Sequence, residues 1–98
     1  MALRQIIVNK LKEFFSTQPV ERVWLFGSFA RNEERPDSDV DIMVAYTPGH
    51  RLGLFGICEL IEKIEKLVGR KVDLVEKGTL YPIVEKEVES QKVLIYER

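Results

Sequence analysis

Apolar residues in this chain follow two spacings that alternate along the sequence. In residues 2–16 and 54–68 they recur every three or four positions, as on the buried face of an amphipathic helix. Short runs rich in β-branched and aromatic residues, typical of buried strands, lie between and after these two stretches. The predicted order is helix 2–16, strand 22–26, strand 40–46, helix 54–68, strand 71–75, helix 80–88 and an edge strand at 93–96. We therefore expect an α/β (α+β) fold, a small mixed sheet of three to four strands with helices packed on it.

The length and the charge balance limit what the chain can do. Its 98 residues suffice for one modest core, so we expect a single domain over residues 1–98. The 15 basic and 16 acidic residues nearly cancel, which disfavours duplex nucleic acid as a partner because no broad positive field exists to hold phosphates. Polar residues interrupt the first apolar segment, so we expect no signal or membrane span and assign the cytoplasm by default.

The helix predicted at 54–68 also contains the only cysteine, Cys58. A single cysteine can build neither a disulfide framework nor a thiolate metal site. Its apolar neighbours indicate a residue that fills the core. The predicted buried stripe of this helix consists of Phe55, Cys58, Ile61, Ile64 and Val68.

The only histidine and a group of basic residues receive no catalytic role. His50 lies in a predicted loop, where contact with nucleotide or metal is one interpretation and simple exposure to solvent is the other. Lys63, Lys66, Arg70 and Lys71 are interleaved with acidic residues, a pattern that predicts a solvated face.

Asp39 and Asp41 are the first candidates for chemistry. They lie two residues apart at the predicted strand 40–46, so the pleat directs both side chains to one face, with their Cα atoms roughly 7 Å apart. Two ionised carboxylates this close repel each other, and a hard cation such as Mg²⁺ relieves that repulsion by taking an oxygen from each. The alternative for an isolated pair of this kind is a strand edge whose aspartates face water.

Gly27 and Ser28 are the second candidates, because they end a predicted strand at the start of a helical turn. Such a turn presents free backbone N–H groups to an anion, and a glycine lets a phosphate approach the backbone closely. The Ser28 hydroxyl can add one hydrogen bond. An ordinary turn with a serine cap is the alternative interpretation.

Two segments together resemble the signature of a known family. They are GSFAR at residues 27–31 and SDVDI at residues 38–42, with ten residues between Ser28 and Asp39. This arrangement resembles the Gly-Ser-x10-Asp-x-Asp signature of minimal nucleotidyltransferase domains, which belong to the DNA polymerase β-like superfamily. The resemblance covers nearly the whole chain, since the family continues with a helix and a strand bearing a third acidic residue, matched here by Asp73. It implies a polymerase β-like nucleotidyltransferase fold.

The resemblance implies a role for each matching residue. Asp39 and Asp41 would hold two Mg²⁺ ions, and Gly27 and Ser28 would grip the triphosphate of ATP, the donor. Asp73 would bind the catalytic metal and help to take the proton of the acceptor, unless it is only a polar residue on the open face of a strand.

Arg31 and Asn32 follow the Gly-Ser pair and need a separate interpretation. Arg31 follows Ser28 by about one helical turn, so its guanidinium could contact the phosphates, or it could be a surface arginine. Many family members have glycine where Asn32 stands. The glycine of those relatives indicates a position where left-handed backbone is expected, and asparagine tolerates that conformation better than most residues.

Chains of about this length resemble the antitoxin of two-gene modules whose other product is a HEPN-type ribonuclease toxin. This resemblance implies transfer of AMP to a tyrosine of the toxin and a hetero-oligomer with it. One alternative is a binding module that neutralises the partner by occlusion without catalysis. Another is nucleotidyl transfer to a small molecule such as an aminoglycoside.

Overall fold

The computed structural model describes residues 2–98, which form four helices and four strands. Their order is α1 (Leu3–Phe15), β1 (Val20–Phe26), α2 (Gly27–Ala30), β2 (Val40–Tyr46), α3 (Leu54–Val68), β3 (Val72–Glu76), α4 (Pro82–Gln91) and β4 (Val93–Glu97). The predicted fold class is confirmed. The main differences in bounds are that β1 begins two residues before the predicted 22–26 and that α4 lies slightly later than the predicted 80–88.

The four strands form one mixed sheet in the order β3-β2-β1-β4. The inner strand β1 is antiparallel to both of its neighbours, β2 and β4, whereas β2 and β3 run parallel. Two parallel strands require a crossover connection, and α3 provides it. The predicted edge position of the last strand is confirmed.

Alternate residues of each strand point to opposite faces of the sheet, and each face has its own apolar cluster. One face packs against α1 and α3, with Leu25, Ile42 and Ile64 fully buried among its residues. The other face is covered by α4, whose Val88 packs against Trp24 and Met43. Asp41 and Asp73 have the same strand parity as Met43, so they belong to the face that α4 covers.

Polar contacts at the end of α4 complement this packing. The Lys92 Nζ lies 4.2 Å from the centroid of the Trp24 ring, within the range of a cation–π contact. Glu89 pairs with both Lys92 and Lys77. These contacts tie the C-terminal end of α4 to the sheet, beside the start of β4.

The buried stripe of α3 differs from the sequence prediction. Leu60 and Ile64 are buried, whereas Phe55 is 88% exposed and Cys58 is exposed. At about 3.6 residues per turn, Phe55 lies on nearly the opposite side of the helix from Leu60 and Ile64. The interpretation of Cys58 as a residue that fills the core is therefore wrong. Within residues 2–98, no helix is both long and apolar enough to span a membrane.

Candidate functional site

The pairing of β2 with β3 brings two of the candidate carboxylates together. Asp41 and Asp73 are direct partners in the parallel register, although 31 residues separate them in the sequence. Paired residues on neighbouring strands direct their side chains to the same face. Asp73 therefore lies beside Asp41, at the end of the sheet where both strands begin.

Asp39 is the third carboxylate and lies just outside the sheet. It directly precedes β2, which begins at Val40, and its side chain is exposed like that of Asp73. The backbone N–H of Val40 donates a 2.9 Å hydrogen bond to the carbonyl of Lys71. This bond joins the segment that carries Asp39 to the turn before β3.

The charges of the three aspartates interact at Asp41. Burial is the main cause that raises the pKa of Asp41 from 3.8 to about 6, and the negative charges of Asp73 and then Asp39 add to it. The positive charge of Arg31 acts in the opposite direction. Asp41 is thus a half-buried acid that remains ionised near neutral pH while it faces two other carboxylates.

Gly27 provides the space that the Asp41 side chain occupies. It has a φ of +68°, and a Cβ at this residue would meet Asp41 Oδ2 at 2.1 Å, well inside any tolerated contact. Glycine is required here both for the left-handed backbone and for the approach of the carboxylate. Ser28 follows in α2, so the structure brings the predicted phosphate-binding turn against the predicted metal-binding strand.

The donor set fits a hard divalent cation. The charges of Asp73 and Asp39 contribute to the raised pKa of Asp41. A cation that binds an oxygen of each carboxylate would relieve this repulsion. Across residues 2–98 no three acidic, histidine or cysteine side chains already converge as a ready-made set of metal ligands. The charges of the aspartates interact, but their side chains would have to move before all three could bind one cation.

Arg31 and Asn32 follow α2 at the rim of the site. Arg31 donates hydrogen bonds to Glu33, at 3.3 Å, and to the side chain of Gln91 at the end of α4, at 3.0 Å. The contact with Gln91 was not predicted, because only the docking of α4 brings these two residues together. Asn32 has a φ of +58°, so this position adopts the left-handed backbone expected for it.

His50 is not brought to the site. It is exposed in the loop after β2, at the end of the strand opposite to Asp41. Its Nδ1 lies 3.1 Å from the carbonyl oxygen of Pro48. The interpretation as an exposed loop residue is therefore confirmed.

Arg70 departs from the predicted solvated basic face. It is half-buried, and its Nη1 donates hydrogen bonds to the carbonyl of Arg35, at 3.2 Å, and to that of Ser38, at 2.9 Å. The guanidinium also lies 5.5 Å from the centroid of the Phe29 ring. Sequence reasoning missed this role because the contacts join segments more than 30 residues apart, and no local pattern indicates them.

The sequence of this chain matches a known family and a named relative over most of its length. The family model described as Polymerase beta, Nucleotidyltransferase matches residues 9–98. Protein adenylyltransferase MntA of Thermococcus cleftensis is 36% identical over 93 residues, which cover 95% of this chain and 92% of that protein.

Two solved structures share the fold at 22% sequence identity each. A toxin-antitoxin structure with AMP-PNP has a TM-score of 0.79 and is matched over 93% of this chain and 73% of that chain. A complex of the tri-AMPylated Shewanella oneidensis HEPN toxin with an MNT antitoxin has a TM-score of 0.73, over 97% of this chain and 73% of that chain.

Proposed function

This chain belongs to the polymerase beta nucleotidyltransferase family, and from that premise we propose that it transfers AMP from ATP to a tyrosine of a HEPN-type ribonuclease toxin. On this proposal the protein is the antitoxin of a two-protein module and forms a hetero-oligomer with its target. The observation that carries the proposal is the position of the Asp41 carboxylate, against Gly27 on one side and beside Asp73 on the other.

The relatives support the nucleotide and the acceptor separately. The name of the Thermococcus cleftensis protein specifies adenylyl transfer to protein, and that protein is matched over nearly its full length. The structure with AMP-PNP supports ATP as the donor, because AMP-PNP is an ATP analogue. The AMPylated HEPN toxin supports a toxin as the acceptor.

Different residues of this chain would bind the metal ions and the phosphates. Asp39, Asp41 and Asp73 would hold Mg²⁺, two ions on this proposal, which would neutralise charge on the triphosphate and polarise the acceptor oxygen. Backbone N–H groups at Gly27 and Ser28 would bind phosphate oxygens, with Arg31 at the rim.

The transfer step exchanges one bond at phosphorus for another. The tyrosine oxygen of the partner attacks the α-phosphorus of ATP and forms the new P–O bond, while the bond to the bridging oxygen breaks and pyrophosphate leaves. Asp73 would accept the phenolic proton, because it is exposed and paired with Asp41 in the register of the sheet. The half-buried Asp41 would stay ionised to serve as a ligand.

Intact mass spectrometry of the partner tests this function directly. The toxin is incubated with this protein, Mg²⁺ and each nucleoside triphosphate in turn, and we expect adducts of AMP mass with ATP only. Peptide mapping should place each adduct on a tyrosine. Adducts with another nucleotide, or none with any of them, would contradict the proposal.

The double substitution of Asp39 and Asp41 by Asn separates modification from occlusion. The double variant should bind the toxin but neither modify it nor neutralise its ribonuclease activity. If it neutralises the toxin as well as the parent does, occlusion is the mechanism. If the parent adenylates an aminoglycoside without any partner protein, the acceptor is a small molecule instead.

A further inference from the structure

Arg70 joins three segments of the candidate site through one guanidinium group. It lies in the turn between α3 and β3, the strand that carries Asp73. Its hydrogen bonds reach the carbonyls of Arg35 and Ser38, in the loop that ends at Asp39. Its contact with the ring of Phe29 reaches α2, which begins at Gly27. This one side chain therefore touches both the loop that leads to Asp39 and the helix that begins at Gly27.

The loop segment that Arg70 binds is a tight turn. The N–H of Ser38 donates to the carbonyl of Arg35 at 3.0 Å, and the N–H of Arg35 donates to the hydroxyl of Ser38 at 2.8 Å. Arg70 accordingly binds a compact turn at two carbonyls. The hydrogen bonds of Arg70 therefore restrict the backbone that leads into Asp39.

The peptide groups on both sides of Asp39 are fixed by consecutive residues of the α3–β3 turn. The carbonyl of Ser38 belongs to the peptide group before Asp39, and Arg70 holds it at 2.9 Å. The N–H of Val40 belongs to the peptide group after Asp39, and the Lys71 carbonyl holds it at 2.9 Å. Because peptide groups are planar, fixing both of them limits the direction of the Asp39 side chain, although Asp39 lies outside β2.

We propose that Arg70 is a positioning residue that holds Asp39 in the orientation needed to bind a divalent cation together with Asp41. This inference rests on the proposed function, because it assumes that the aspartates are metal ligands. On this proposal Arg70 acts through the backbone that flanks Asp39 and not by direct contact with substrate or metal.

Loss of the Arg70 contacts should weaken metal binding in a particular way. Without them, Asp39 points toward the site for only part of the time, and the apparent dissociation constant of the metal rises by the reciprocal of that fraction. A sufficient metal concentration restores the bound orientation. The defect should therefore appear as a weaker affinity for metal and largely disappear at saturating metal.

The test uses Arg70→Met, which retains the apolar stem against Phe29 but removes every donor, and Arg70→Lys, which retains one charged donor group. The matched control is Arg51→Met. Arg51 likewise makes a side-chain contact, an ion pair with Glu76, but lies at the opposite end of β2 and β3. Mn²⁺ binding in the presence of AMP-PNP is measured by electron paramagnetic resonance, and transfer to the partner is measured across a metal titration.

We expect Arg70→Met to raise the Mn²⁺ dissociation constant by about 10- to 100-fold, in the range found when a group that orients a metal ligand is removed. Arg70→Lys should fall between Arg70→Met and the parent, and Arg51→Met should match the parent. The transfer rate of Arg70→Met should approach that of the parent at saturating metal.

Parent-like affinity in Arg70→Met would overturn the inference, and so would a transfer defect that saturating metal does not reduce in the folded variant. If circular dichroism shows Arg70→Met unfolded, Arg70→Lys decides: parent-like affinity in that variant overturns the inference, and weakened affinity supports it. A parent protein that binds no Mn²⁺ with AMP-PNP would instead contradict the proposed function itself.

Discussion

The Asp41 carboxylate occupies the space that a side chain at Gly27 would need, since a Cβ on Gly27 would lie 2.1 Å from Asp41 Oδ2. Gly27 therefore has a structural role that does not depend on the proposed contact with phosphate. It allows the half-buried ligand candidate of β2 to lie against the turn that begins α2.

Gly27→Ala should reduce both stability and transfer. The left-handed φ of +68° costs a residue with a Cβ about 1–3 kcal/mol, and the clash also displaces Asp41. A displacement of about 1 Å at a reacting centre can lower a rate by about 100-fold. Urea unfolding and initial transfer rates measure the two effects.

The matched control for this substitution is Gly49→Ala. Gly49 has a φ of +82°, but nothing lies within 4 Å of the position of its Cβ. It should lose stability through the backbone strain alone, with parent-like transfer. An active Gly27→Ala variant would show that the position of Asp41 against Gly27 is dispensable.

The raised pKa of Asp41 predicts how stability depends on pH in metal-free solution. In the folded protein this carboxyl keeps its proton up to a pH of about 6, whereas its ordinary pKa is 3.8. Between those values the folded state binds more protons than the unfolded state, so the contribution of Asp41 to stability falls as the pH rises. Above a pH of about 6 the full penalty of the buried charge is present.

Asp41→Asn removes that penalty. The variant should exceed the parent in free energy of unfolding at pH 8, and the difference should shrink as the pH falls through 6 toward 4. Urea titrations with chelator at several pH values measure it. Asp37→Asn, at an exposed residue of the preceding loop, controls for the loss of one negative charge. If Asp41→Asn changes the free energy of unfolding by the same amount at every pH, the pKa of Asp41 is not raised in the folded protein.

Asp73→Asn should separate binding of nucleotide from transfer. If Asp73 accepts the proton of the acceptor, its loss should lower the transfer rate by about 100- to 10,000-fold, the usual range for general-base catalysis. Affinity for ATP should change much less, because Gly27 and Ser28 remain. Rapid-quench transfer assays and calorimetric titration of AMP-PNP measure the two quantities.

Glu76→Gln is the control for Asp73→Asn. Glu76 lies on the same strand, β3, but at the opposite end, where it pairs with Arg51. It should transfer AMP at the rate of the parent. Equal losses in the two variants would indicate a general effect on β3 and not a role of Asp73 in the reaction.

The exposure of Cys58 predicts rapid reaction with a thiol reagent in the native protein. Ellman's reagent should titrate one thiol per chain without denaturant, because Cys58 is the only cysteine. Cys58→Ser should change the free energy of unfolding by less than about 0.5 kcal/mol, as is usual at an exposed position. A thiol that reacts only in denaturant would show that Cys58 is buried after all.

The sequence determined the order of the elements and most of the candidate site, because both are written in local spacing. The two periods of apolar residues predicted the helices and strands, and the interval from Ser28 to Asp39 carried the resemblance to the family. The left-handed backbone at Asn32 could also be predicted, because many members of the family have glycine at this position.

The tertiary structure decided which residues meet across the chain. The pairing of Asp41 with Asp73, the contact of Arg31 with Gln91 and the binding of the Asp39 loop by Arg70 depend on strand order and helix docking. The helical period predicted α3, but its rotation was set by packing on the sheet, which buried Leu60 and left Phe55 and Cys58 in solvent. Local patterns specify the secondary structure of each segment. Long-range contacts form only when the helices and strands pack against each other, and no local pattern specifies them.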